Sequence, residues 1–224
     1  MLTRTASSGP ELDIVRAFLD QGIYTSNADT MVSVFCEPRL ETGYPDVVVV
    51  HWDRDVAESW PTCRAALTTD DVRLLHLVNS CKRVARDDLN SRSTPRETAL
   101  AIERLLAANL VTASNRWVRA RPLREIFAVR RIIAIEAKIS DWRRGLRQAF
   151  LNTWFASESL LLLPKIPKGN HVAEHAKQMG IGIVSVGQTL SAPHVRPRRD
   201  RVPQSYGSWL FNEWVWRGFG VLRS

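Results

Sequence analysis

Cysteine is scarce in this chain of 224 residues: Cys36, Cys63 and Cys81 are the three, with no Cys-x-x-Cys spacing. An odd, scattered set argues against a disulfide framework and against a thiolate zinc site, and it fits a reducing compartment, so a cytoplasmic location is expected. No apolar run approaches the roughly 20 residues that span a bilayer. The first ten residues are polar and lack the apolar core of a secretory signal, so a soluble protein with no membrane partner is expected. Internal repeats and low-complexity tracts are lacking as well. Acidic residues are outnumbered, 23 against 31 Lys and Arg, for a formal net charge of +8. That balance favours a polyanionic partner, of which nucleic acid is the commonest.

What is present reads as an α/β protein, with 45% hydrophobic and 24% charged residues. Pro10 opens a helical pattern over 10–21 with Leu12, Val15, Phe18 and Leu19 on one stripe; Ser7 or Ser8 could cap it and Gly22 end it. Residues 30–36 alternate as a strand. After a turn-rich connection, Pro45-Asp46 stands directly before the apolar run 47–52, which reads as a central strand with Asp46 at its mouth. A second buried strand spans 132–138 and ends Glu136-Ala137-Lys138. Side chains two apart on a strand share a face, so Glu136 and Lys138 project together. Burying a carboxylate beside an ammonium is costly unless they serve each other or a metal. Beyond it come a helix over 141–157 with Leu146, Ala149, Phe150, Thr153 and Trp154 as its stripe, a strand over 159–163, a helix over 172–179 and a strand over 180–187. A basic, proline-broken loop fills 193–203, and a tryptophan-rich helix (Trp209, Leu210, Trp214, Trp216) spans 208–219 as core or subunit interface.

The intervening segment has a different character. Residues 53–68 are irregular. Helices are expected over 70–78, over 82–89 and from Ser93 or Thr94 to 108, the last carrying Ala99, Ile102, Leu105 and Leu106 inward, with Asn90 to Ser93 as the turn before it. Short strands at 109–112 and 117–120 follow. Three helices and a hairpin resemble the winged helix-turn-helix family, in which the third helix enters the major groove and the hairpin touches the backbone. From Lys82 to Arg131 there are 12 Lys and Arg against five Asp and Glu. Arg92, Arg96, Arg104, Arg116 and Arg119 are the candidates for phosphate contact, and Arg143 and Arg144 extend the set on the later helix.

Pro45-Asp46 and Glu136-Ala137-Lys138, each beside a buried strand, together with the order helix, strand, Asp-bearing strand, Glu-x-Lys strand, helix, strand, resemble the PD-(D/E)XK nuclease superfamily. The resemblance covers residues from about 10 to 60 and 125 to 190. It implies a restriction-endonuclease-like mixed sheet flanked by helices, divided as 1–64 and 124–224 around an inserted winged helix at 65–123. It also implies a metal-dependent endonuclease that cuts DNA, with RNA open as a second substrate, and a homodimer or partner protein is compatible. Asp46 and Glu136 would hold Mg²⁺ or Mn²⁺, hard cations that prefer carboxylates, with the Ala137 carbonyl completing the shell. Such a metal activates water and polarises the phosphate. Lys138 would orient that water and stabilise charge on the phosphorus oxygens. Gln148 matches a glutamine often found on the following helix in relatives, where it positions water or substrate. Glu11 and either Glu37 or Glu41 are further acids within reach of such a site.

Two other readings follow from the same residues. The first is a DNA-binding or complex-forming protein on a nuclease-like scaffold that does not cut. The second is a zinc peptidase, because His171-Val172-Ala173-Glu174-His175 fits the H-x-x-E-H signature with two histidines one helical turn apart. Glu213 is the only distant third ligand for it, and His51 and His76 read as structural.

Overall fold

The computed structural model describes residues 9–21, 30–41, 43–90, 94–190 and 192–221. In chain order it has helix α1 (Pro10–Leu19), strands β1 (Thr30–Cys36) and β2 (Val47–Asp53), helix α2 (Arg54–Glu58), a 3-10 turn (Thr62–Ala66) and helix α3 (Thr69–Ser80). Strand β3 (Val84–Ala85), helices α4 (Arg86–Asn90) and α5 (Pro95–Ala107), strands β4 (Val111–Ala113) and β5 (Trp117–Ala120) and helix α6 (Leu123–Ile126) follow. The chain continues through β6 (Val129–Ala137), α7 (Trp142–Asn152), β7 (Glu158–Leu163), α8 (His171–Met179), β8 (Gly182–Ser185) and α9 (Tyr206–Val221). The expected caps at Ser7 and Ser8, the stop at Gly22 and the turn residues Ser91, Arg92 and Ser93 lie outside the described residues. Among the described residues no helix is long and apolar enough to cross a membrane.

The chain divides into two compact units, Met1–Trp52 with Arg130–Gly207, and Asp53–Val129 with Ser208–Ser224. The first is the α/β unit. Its five-stranded sheet has the order β1-β2-β6-β7-β8, with β6, β7 and β8 parallel. Apolar residues run unbroken along β2, β6 and β7 because helices cover both faces, as a doubly covered sheet requires. Val15 and Phe18 of α1 pack on Val47, Val49, Ile133, Ile135, Ala137, Leu160 and Leu162. The opposite face takes Leu146 and Ala149 of α7 and Val172 and Ala176 of α8 against Leu161, Leu163 and Ile183. Strand alternation thus sends Leu160 and Leu162 to α1 and Leu161 and Leu163 to α7 and α8; each fully buried leucine contributes about 1.5–3 kcal/mol. In register, Glu136 stands opposite Leu161 of β7.

The second unit joins α3, α4 and α5 to a three-stranded antiparallel sheet of order β3-β5-β4. Thr68 and Thr94 each form a capping box, with Asp71 and Glu97 three residues on, which fixes where α3 and α5 begin. Several expectations change here. Residues 82–89 hold a strand and a helix, because Val84 and Ala85 pair with Val118 and Trp117 of β5. Residues 53–68 carry α2, capped by Asp53 (Val56 N–H to Oδ1, 3.2 Å), and the 3-10 turn. On α5 the inward stripe is Thr98, Ala101, Ile102 and Leu105; Ala99 and Leu106 face solvent. Phe150 of α7 is likewise exposed, and Gly145 and Asn152 take the inward places. The units divide at 52/53 and 129/130 rather than at 64/65 and 123/124, and α9 from Ser208 onward belongs with the second unit. Within that unit a buried ion pair joins Glu213 of α9 to Arg64 of the 3-10 turn (Nη2 to Oε1, 2.6 Å).

Candidate active site

Asp46 sits one residue before β2, Glu136 lies near the end of β6 and Lys138 follows that strand directly, so adjacent strands of one sheet bring the three together. The Ala137 N–H donates to Asp46 Oδ2 at 2.7 Å, which ties the mouth of β2 to the middle of the Glu-x-Lys motif. Behind Asp46, its carbonyl accepts the Glu37 N–H at 3.0 Å. Glu37 has a φ of 44°, a left-handed conformation that non-glycine residues rarely take. Glu136 is 3% exposed and accepts a hydrogen bond on Oε1 from Asn152 Nδ2 at 2.8 Å. Lys138, 9% exposed, donates from Nζ to the Ala137 carbonyl at 2.8 Å and lies 3.4 Å from Glu11 of α1.

Electrostatics follow from crowding acids in a buried place. Burial, then the adjacent Asp46 charge, pushes the Glu136 carboxyl up to about 8, against the Asn152 hydrogen bond and Lys138. Burial also pushes Asp46 up, with Glu11 and Glu37 adding to it, while the Ala137 N–H and Lys138 pull it down. Two carboxylates that cannot comfortably both ionise are a donor set waiting for positive charge. Gln148 Oε1 and Glu37 Oε2 are among the buried polar atoms that have no hydrogen-bond partner. Buried polar atoms are nearly always satisfied, so such orphans mark places where a ligand or water completes the bonding.

A divalent cation of the Mg²⁺ or Mn²⁺ type fits these residues. Asp46 and Glu136 are hard oxygen donors of the kind it prefers. The Ala137 carbonyl, expected to complete the shell, accepts the Lys138 ammonium at 2.8 Å and keeps a second lone pair. Among the described residues no three His, Cys, Asp or Glu side chains converge as a metal group.

Sequence reasoning missed Asn152 and Gly145. They lie four residues beyond and three before Gln148, which puts all three on one face of α7, and that spacing was the available signal. Gly145 lets α7 cross the stem of Lys138: a Cβ there would stand 2.5 Å from Leu161 Cδ1 and 2.7 Å from Lys138 Cγ. Alanine usually stabilises a helix interior relative to glycine by about 1 kcal/mol. Gly145→Ala is expected to do the reverse, losing about 1–3 kcal/mol through overpacking, as read by urea unfolding.

The nucleic-acid candidates separate. Arg96, Arg116 and Arg119 are exposed on the second unit, and Arg143 and Arg144 are exposed on α7 of the first. Arg104 differs from these: its guanidinium makes two 2.8 Å bonds to the fully buried Asp71, which join α5 to α3. Arg92 lies outside the described residues. Arg83, which the sequence did not single out, lies over the Trp117 ring at 4.6 Å, with Arg116 over it at 5.4 Å.

The two histidines of the H-x-x-E-H pattern do not converge on a site. His175 Nδ1 lies 2.8 Å from the His171 carbonyl and its ring stands edge-on to Trp142. Glu213, the distant third ligand, has both carboxylate oxygens on Arg64. Comparison with protein-family models, with curated proteins and with solved structures finds no match to this chain.

Proposed function

We propose that this chain is a metal-dependent nuclease of the PD-(D/E)XK type that hydrolyses DNA phosphodiester bonds. The observation that carries the reading is the meeting of Asp46 and Glu136 on adjacent strands, bridged by the Ala137 N–H, with Lys138 beside them. A bound Mg²⁺ or Mn²⁺ would supply Lewis-acid polarisation of the phosphate and a more acidic water. Asp46 and Glu136 hold that charge, and its presence keeps both carboxylates ionised. Lys138 contributes a fixed ammonium beside them, suited to negative charge that grows on the phosphorus oxygens. Gln148 offers its unpartnered amide oxygen to a water or to the substrate. The helices and hairpin of the second unit are read as a winged helix-turn-helix that binds nucleic acid. With Arg104 occupied, the cations around Trp117 on the hairpin (Arg83, Arg116) and Arg119 are the better phosphate contacts than α5, whose outer face includes Leu100, Glu103 and Leu106.

The test is cleavage of plasmid and single-stranded DNA with Mg²⁺ or Mn²⁺ by the parent, Asp46→Ala and Lys138→Ala. Cutting by the parent should require the metal and fall by about 10²–10³-fold or more in each variant. A parent that binds DNA in a salt-dependent way and never cuts would move the protein to the non-catalytic reading.

A further inference from the structure

We infer that Asn152 is a positioning residue that fixes Glu136 in its cation-holding pose, the last contact of an α7 face that also carries Gly145 and Gln148. This rests on the nuclease reading. A glutamate side chain has three rotatable bonds, and a glutamate that must hold an ion gains from having them frozen beforehand. Asn152 does this from a rigid place. It is 4% exposed, on the last turn of α7, and donates to Glu136 Oε1 at 2.8 Å. The end of that helix is itself pinned: the Ala149 carbonyl accepts Ser159 Oγ of β7 at 2.6 Å. The Asn152 carbonyl accepts the N–H groups of Phe155 and Ala156 at 3.2 and 3.0 Å. The donor is thus placed by β7, the strand next to Glu136's own.

The choice of residue type has a reason. An amide satisfies one carboxylate oxygen without adding charge, whereas Lys or Arg in its place would compete with a cation for Glu136. The amide occupies Oε1 and leaves Oε2 without a bond from it. Partners behind metal-holding carboxylates typically cost about 10–100-fold in metal affinity when lost.

The experiment is calorimetric titration of the full chain with Mn²⁺ alone, for the parent, Asn152→Leu and Asn152→Gln, with plasmid cleavage over a range of Mn²⁺ run beside it. Leucine keeps the branched shape and removes the donor; glutamine restores an amide. The Mn²⁺ dissociation constant should rise about 10–100-fold in the leucine variant and recover in part with glutamine. Cleavage by the leucine variant should need correspondingly more Mn²⁺. Should the leucine variant not fold, as judged by circular dichroism, Asn152→Ala carries the same comparison. A parent that binds Mn²⁺ and a folded leucine variant that binds it equally well would overturn the positioning role and leave the nuclease reading standing. A parent that binds no Mn²⁺ would overturn both.

Discussion

Replacing Glu213 with alanine is expected to destabilise the second unit by about 3–5 kcal/mol, enough to unfold a marginal domain, because it strands a buried cation. Arg64 is 0% exposed and Glu213 2%. Their bidentate contact, Nε to Oε2 at 2.8 Å and Nη2 to Oε1 at 2.6 Å, is joined by the Ile126 carbonyl at 2.8 Å from Nη2. The guanidinium lies 3.4 Å from the centre of the Trp60 ring, so its flat face is covered as well. Buried as it is, the guanidinium of the variant loses the carboxylate that both its Nε and Nη2 bond. Asn212 would be disturbed too, since its Nδ2 donates to Glu213 Oε1 at 3.2 Å and its Oδ1 accepts the Ala128 N–H at 2.8 Å. The double variant Arg64→Met, Glu213→Leu should recover much of the loss, because an apolar pair of similar volume needs no compensation. Urea unfolding of the three proteins checks this. A single variant within about 0.5 kcal/mol of the parent would mean that the pair is solvated after all.

The second large effect is on pH. Glu136 releases its proton at about 8 in the folded protein, against 4.5 ordinarily. Between those values the folded chain binds more protons than the unfolded one, so stability is greatest below pH 4.5 as far as this group is concerned, falls as pH rises and levels off above about 8. Asp46 is displaced in the same direction and adds to the trend. The slope approaches about 1.4 kcal/mol per pH unit at its steepest. Glu136→Gln removes the titration, so its unfolding midpoint should depend less on pH and exceed that of the parent at pH 9. Addition of Mn²⁺ should raise the parent's midpoint at pH 9 and leave the glutamine variant nearly unmoved. An equal response in both would separate Glu136 from any cation.

The sheet was legible because its signals are local. Four consecutive valines after Pro45-Asp46 and the isoleucine run before Glu136 are long, branched and apolar, and they became β2 and β6. Their burial on both faces could be read from the lack of alternation. The acids Asp46 and Glu136 were legible for the same reason, as charged groups at the ends of strands that must be buried. What could not be read were partnerships across the fold. Arg104 looks like any exposed helix cation until Asp71, a residue of the capping box of α3, is found beneath it. Asn152 looks like a helix-end amide until β6 is laid beside α7. Glu213 lies far along the chain from Arg64, and no periodicity links a 3-10 turn to a helix at the other end of the sequence. The exposed Ala99 and Phe150 show a gentler failure, in which an apolar residue one position off the stripe was counted as core.

The Arg64–Glu213 pair also sets an order of events during synthesis. The two residues are 149 positions apart. At about 5–20 residues per second, a nascent chain carries the arginine for on the order of ten seconds before its carboxylate is made. The second unit therefore cannot close while its own central stretch is being translated; it waits for α9. Everything needed for the sheet unit, through Gly207, has been made before the helix that completes the other. A fragment ending before Ser208 should hold a finished sheet and a second unit still open to proteases, whereas the full chain should resist them in both.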